Sequence, residues 1–249
     1  MGDRPKPYIG VTGFMRSTDV VIALDCIPSN SKRLLMVGVL SSLKKLRNQP
    51  NKRPNRYPRI SHISHIFLDD DRFLNLIHYN TDEPETLAAQ LNDMSELGGP
   101  FLDGFQLNIA WPPYKEVLKH KNEWPNKIVL QVGKRAFDEI NNSPEQLASR
   151  LAEYEDVIDY VLLDPSGGLG VPIVSQVARD YILAIREKIS SVGLGIAGAL
   201  SHKTLGPVAK LIKEFDLSTD AESGIRDNND LLDTQATKLY IEEVGQICS

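Results

Sequence analysis

Short apolar runs recur along the chain, each about the length of a strand, with amphipathic stretches between them. The runs are Pro7–Thr12, Leu34–Leu40, Phe73–Tyr79, Asp103–Asn108, Lys127–Val132, Asp159–Asp164, Gly193–Ala197 and Asp216–Glu222. Glu85–Leu97 sets Leu87, Leu91 and Met94 on one helical face, and Pro144–Tyr154 follows the cap-like Ser143 with Leu147 and Leu151 at i, i+4. Ser201–Phe215 opens on a serine cap, Leu231–Val244 closes the pattern, and Cys26 falls in a predicted first helix. Eight strands alternating with helices predict an α/β fold with a parallel sheet. Eight such units fit a closed (β/α)8 TIM barrel better than a doubly wound open sheet, the alternative.

The 249 residues are close to the usual length of one such barrel, so residues 1–249 are expected to form a single domain. No apolar run approaches a membrane-spanning length, and the opening MGDRPKPYIG lacks an apolar signal core. The expectation is a cytoplasmic protein without a membrane partner. A net charge of -5 gives no global attraction to nucleic acid. The two cysteines, Cys26 and Cys248, show no metal or disulfide spacing and read as reduced thiols. No nucleotide fingerprint or other cofactor motif is present, and the oligomeric state is not readable.

One region breaks the rhythm. Between Leu40 and Phe67 the chain carries Lys44, Lys45, Arg47, Lys52, Arg53, Arg56 and Arg59, with three prolines. This basic, Pro-rich insertion over 41–60 follows strand two, which places it at the C-terminal rim of a barrel, where active-site loops lie. It either clamps an anionic ligand, caps the barrel, or is a solvated charged loop.

Near the C-terminus two small-residue turns stand out, in Gly193–Ser201 (GLGIAGALS) and in Asp216–Gly224 (DLSTDAESG). Such turns offer bare backbone N–H groups to a phosphate. In (β/α)8 barrels the loops after strands seven and eight frequently form a phosphate site. A phosphorylated small molecule is therefore the expected ligand.

These residues carry a resemblance. Leu162-Leu163-Asp164 followed by Gly167-Gly168-Leu169-Gly170, then Ala197-Gly198-Ala199-Leu200-Ser201, then Asp220-Ala221-Glu222-Ser223-Gly224, resemble strands six to eight of phosphoribosylanthranilate isomerase, the Amadori isomerase of tryptophan biosynthesis. Gln106-Leu107-Asn108 and Val11-Thr12-Gly13-Phe14 are fainter matches at strands four and one. The resemblance implies an isomerase with no metal and no organic cofactor. It implies Asp164 as the general acid that protonates the ribose ring oxygen. It implies phosphate contact by Gly167, Gly168, Gly170, Gly198, Ala199, Ser223 and Gly224. It implies substrate contact by Gln106, Asn108, Asp220 and Arg59.

The departures matter as much. Thr12 stands where the family has its base, a cysteine, and a threonine alcohol is no useful base near neutral pH. Asn108 replaces a family histidine. Glu222 replaces a family serine, and strand alternation puts it on the face of Asp220. Glu222 is the first candidate for a relocated base, against a place at the solvent rim. A binding protein that has lost catalysis is the second functional reading. A lyase or aldolase using Lys134 as a Schiff-base lysine is the third. His62 and His65 are spaced as metal ligands but lack a third. Trp111-Pro112-Pro113-Tyr114 either stacks on a ligand ring or forms a rigid loop.

Overall fold

The computed structural model describes residues 4–28, 30–165 and 174–249. Eight parallel strands close into a barrel in sequence order. They are β1 (Tyr8–Thr12), β2 (Leu34–Ser42), β3 (Phe73–Asn80), β4 (Gly104–Leu107), β5 (Lys127–Gly133), β6 (Tyr160–Asp164), β7 (Gly193–Ala197) and β8 (Ser218–Ala221). Closure is made by β1 against β8, with Gly10 opposite Asp220 and Val11 opposite Ala221. Every predicted strand is present, most of them as apolar runs short enough for a strand and bounded by polar or Gly/Pro punctuation, with β8 (STDA) the polar exception.

The helices are α1 (Ser17–Leu24), α2 (Leu43–Leu46), α3 (Leu87–Gly98), α4 (Tyr114–Glu123), α5 (Lys134–Glu139), α6 (Pro144–Ala152), α7 (Ser175–Lys188), α8 (Gly206–Phe215) and α9 (Thr234–Cys248). Ser143 caps α6 as expected, its side chain accepting the Gln146 N–H at 3.2 Å. Three expectations shift. α1 ends at Leu24, so Cys26 lies just beyond it. Ser201 does not start α8. Its N–H is taken by Thr204 Oγ1 at 2.9 Å, in a separate turn. The helix begins at Gly206 with a proline in its first turn, where a missing N–H costs nothing. α9 begins at Thr234 because Asp233 accepts the Ala236 N–H at 2.8 Å.

Strand alternation divides the core. Outward side chains such as Val11, Val37, Ile77 and Val161 pack beneath the helices. Inward ones, among them Tyr8, Met36, Leu74, Leu76, Tyr160 and Leu162, fill the barrel. Each such fully buried apolar side chain contributes about 1.5–3 kcal/mol. Tyr8 meets Tyr160 edge-on at 5.3 Å between ring centres. This plug forms the floor on which the polar upper layer rests.

The stretch that follows the basic insertion is core. Ile63, Ile66 and Phe67 are buried in the outer layer. Arg56 is buried too, its Nε donating to Asp230 Oδ2 at 2.8 Å and its Nη1 to Glu222. The insertion is thus fastened across the mouth to the segment after β8, rather than solvated throughout.

Candidate functional site

The upper ends of the strands turn polar on their inward face. Thr12 follows Tyr8 and Gly10 at period two, His78 follows Leu74 and Leu76, and Asp164 follows Tyr160 and Leu162. Gln106 and Asp220 take the matching place on β4 and β8. Above them opens a cavity of about 830 Å³, lined by Gln106, Asn108, Gln131, Asp164, Asp220 and Glu222.

Two carboxyl groups are buried here. Asp164 is 5% exposed, and Gln131 Nε2 donates to its Oδ2 at 2.6 Å. Asp220 is 7% exposed, and Thr12 Oγ1 donates to its Oδ1 at 2.7 Å. Burial pushes the Asp220 carboxyl up to about 7, the Thr12 hydrogen bond opposes this, and the charges of Glu222 and Asp164 add to it. On its other side Thr12 Oγ1 lies 3.4 Å from His78 Nδ1. Burial lowers the pKa of His78 to about 3, so its ring is neutral. Gly38 makes this cluster possible, since a Cβ there would stand 2.7 Å from Thr12 Oγ1 and 2.8 Å from His78 Nε2.

Glu222 lies one residue past the end of β8, where alternation no longer holds, and its carboxylate is bound by Arg56. It lines the cavity from the rim. Arg59 is exposed and lines neither this cavity nor its neighbour. Three residues earlier, Arg56 is the buried arginine of the insertion. Arg226 locks the same region from the other side. Its Nη2 donates to the Thr12 carbonyl at 3.1 Å and its Nη1 to the Asp230 carbonyl at 2.9 Å. Gly13 admits it, for a Cβ on that residue would fall 1.7 Å from Arg226 Nη2.

The two small-residue turns come together. Gly198 (φ 115°) and Ala199 (φ 50°) both adopt left-handed backbone, which costs an alanine on the order of 1 kcal/mol. Gly198, Ala199 and Ser223 border the cavity. Gly224 packs behind them so closely that a Cβ would stand 2.3 Å from the Leu200 carbonyl oxygen. Among the described residues, the N–H groups of Gly198, Ala199, Ser223 and Gly224 bond to no turn or loop carbonyl. Gly167, Gly168 and Gly170 lie outside the described residues.

No family model matches the sequence, and no curated protein matches it. Solved structures do match. The barrel is similar in fold to a phosphoribosylanthranilate isomerase. That structure, the monomeric form of a dimeric enzyme from Thermotoga maritima, aligns with a TM-score of 0.65 over 96% of this chain and 99% of its own, at 16% identity. A pyruvate carboxylase from Rhizobium etli aligns at 10% identity with a TM-score of 0.56, over 98% of this chain but only 28% of that one. At these identities the likeness is one of fold.

The remaining candidates are placed away from the cavity floor. Lys134 borders the mouth but is 63% exposed and paired with Asp138 at 3.0 Å, which gives it none of the burial that activates a Schiff-base lysine. Trp111 donates its Nε1–H to the Ala136 carbonyl and stacks under Arg150, while Tyr154 donates to the Pro112 carbonyl. The segment is a rigid loop. His62 and His65 are exposed, and among the described residues no three His, Cys, Asp or Glu side chains are placed to hold a metal ion. Among the described residues no helix is long and apolar enough to cross a membrane.

His78, Gln131 and Gly38 were not anticipated from the sequence. The signal for His78 was present, as the third member of the inward set Leu74, Leu76, His78. Gln131 stands likewise at period two from Val129.

Proposed function

We propose that this chain is an aldose–ketose isomerase acting on a phosphorylated small molecule, with Asp164 and Asp220 as its acid and base. The observation that carries the reading is the pair of buried carboxyl groups lining a cavity bordered by the turns after β7 and β8, one of them poised near neutral pH. The turns after β7 and β8 hold the phosphate on their backbone N–H groups. Asp164 gives a proton to the sugar ring oxygen and opens the ring. Asp220 removes the proton from C2, and reprotonation at C1 completes the exchange. A base titrating near the working pH combines availability with driving force.

In this scheme Thr12 acts through Asp220. Its hydroxyl occupies Oδ1 and favours the ionised carboxylate. Glu222, held by Arg56, shapes the rim and adds negative charge near Asp220. The base role expected of Glu222 therefore passes to Asp220, whose carboxyl is not committed to a guanidinium.

Thr12→Val keeps the shape and removes the donor. A hydrogen bond to a charged group is worth about 1.5–3 kcal/mol, or roughly one to two pH units. The acidic limb of the kcat/KM profile is expected to move up by that amount. An unmoved limb would separate Thr12 from the titrating group.

The test of the reading uses phosphoribosylanthranilate as the probe. Wild type is expected to isomerise it or a close phosphoribosyl analogue, and Asp164→Asn to slow turnover by about a hundred- to ten-thousand-fold while ligand binding persists. Saturable binding without turnover in wild type would give the binding-protein reading instead. Neither binding nor turnover would remove the phosphosugar assignment.

A further inference from the structure

A second cavity, of about 620 Å³, adjoins the first beneath the basic insertion. The two share Asn80, Thr81, Asp82, Asn108, Arg135 and Glu222, so a ligand can extend from one into the other without crossing a wall. Five basic residues line the second basin, Lys44, Lys52, Arg53, Arg56 and Arg135, against the two acidic residues Asp82 and Glu222. Arg56 is already spent on Glu222 and Asp230, and Arg135 faces Glu139 at 3.0 Å. Lys44, Lys52 and Arg53 form no ion pair among the described residues, although neighbouring Arg47 is taken by Glu83. Two more polar groups in the same wall are buried without a partner, Ser42 Oγ and Asn51 Nδ2. A buried amide left unpaired costs about 1–3 kcal/mol, and an anion in the basin would recover part of this.

The position of the basin defines the ligand's shape. Its walls rise from the ends of β2 and β3, while the turns carrying Gly198 and Ser223 follow β7 and β8, with β3 and β7 four places apart in the eight-stranded ring. Asp164 and Asp220, on β6 and β8, line the first cavity, which the basin adjoins. Three uncommitted cations exceed what a single carboxylate requires and suit a group of charge near −2.

We propose that this basin binds a second phosphoryl group, so that the substrate carries a phosphate at each end with its reacting carbons over the two aspartates. The proposal rests on the isomerase reading for the first phosphate and the floor, and it adds the substrate class.

The test compares ribose 5-phosphate with ribulose 1,5-bisphosphate by titration calorimetry, in wild type and in a Lys52→Gln, Arg53→Gln double variant. At about 50 mM salt, where exposed charges are weakly screened, the bisphosphate is expected to bind wild type at least about tenfold tighter. The double variant is expected to lose that advantage and to keep its affinity for the monophosphate. A Lys52→Arg, Arg53→Lys variant, which preserves charge, is expected to retain the advantage. Equal affinities in wild type, or an advantage that survives in the double variant, would overturn the proposal and leave the isomerase reading intact. An advantage lost equally in the charge-preserving variant would overturn it too. Bisphosphate binding that depends on Lys52 and Arg53, with no binding of the monophosphate, would support the basin and remove the phosphate turns. Binding of neither probe would overturn both.

Discussion

Asp220→Asn is expected to make the protein more stable above neutral pH while slowing turnover by about a hundred- to ten-thousand-fold. The stability gain follows from linkage. The Asp220 carboxyl titrates at about 7 in the fold against 3.8 when exposed, so between those values the native state holds one proton more than the unfolded chain. Stability from this group is complete below the unfolded value and is lost as pH rises through the folded one. The loss well above pH 7 is on the order of 4 kcal/mol. Asparagine cannot ionise, and its side-chain oxygen still accepts from Thr12, so the loss disappears. His78 runs the other way. Its folded value of about 3 lies below the ordinary 6.5, so its contribution is complete above 6.5 and is lost as pH falls toward 3. In wild type the two slopes oppose each other between about pH 4 and 6.5. In Asp220→Asn the His78 slope stands alone, and stability climbs with pH through that window. Urea unfolding of both proteins at several pH values isolates the difference, since all other groups are common. A difference that does not change with pH would show that Asp220 titrates normally.

Gly104→Ala is expected to prevent folding. A Cβ on Gly104 would stand 2.0 Å from the Lys127 carbonyl oxygen, 2.6 Å from its nitrogen and 2.7 Å from its carbonyl carbon. These are backbone atoms of β5, paired to β4 in the register Gly104 opposite Lys127. They have no rotamer to change, so the strand would have to leave the ladder. The cost is expected to exceed about 4 kcal/mol, a large share of the stability of an ordinary domain. Gly206→Ala is the control. A Cβ there meets nothing within 4 Å, and the residue opens α8, so a gain of up to about 1 kcal/mol is expected. Soluble yield and thermal melting distinguish the two. A well-folded Gly104→Ala protein would mean that β4 and β5 pair differently.

The barrel was legible because its information is local. Most strands are apolar runs of the right length, and Asp164 ends one of them. The small-residue turns were legible for the same reason. What could not be read was which side chains meet. Thr12, His78 and Asp220 are brought together only by closure of β1 against β8 and by the spacing of β1 to β3 around the ring. Asp220 was expected to contact substrate, but the neighbours that tune it come from β1, β4 and β6 and from Glu222 beyond β8. Arg59 was singled out by the family resemblance. Arg56 became the buried arginine because the fold of the insertion decides which basic residue reaches Glu222 and Asp230. The late start of α8 did carry a signal, in Pro207 and the Thr204 turn.

The account depends most on the state of Asp220, and a carbon-13 NMR titration of its side-chain carboxyl measures that state directly. Asp220→Asn assigns the resonance by its disappearance. A midpoint near 7 in the wild-type protein is expected, moving upward in Thr12→Val. A midpoint near the ordinary value for an aspartate, 3.8, would contradict the poised base and with it the division of labour between Asp164 and Asp220.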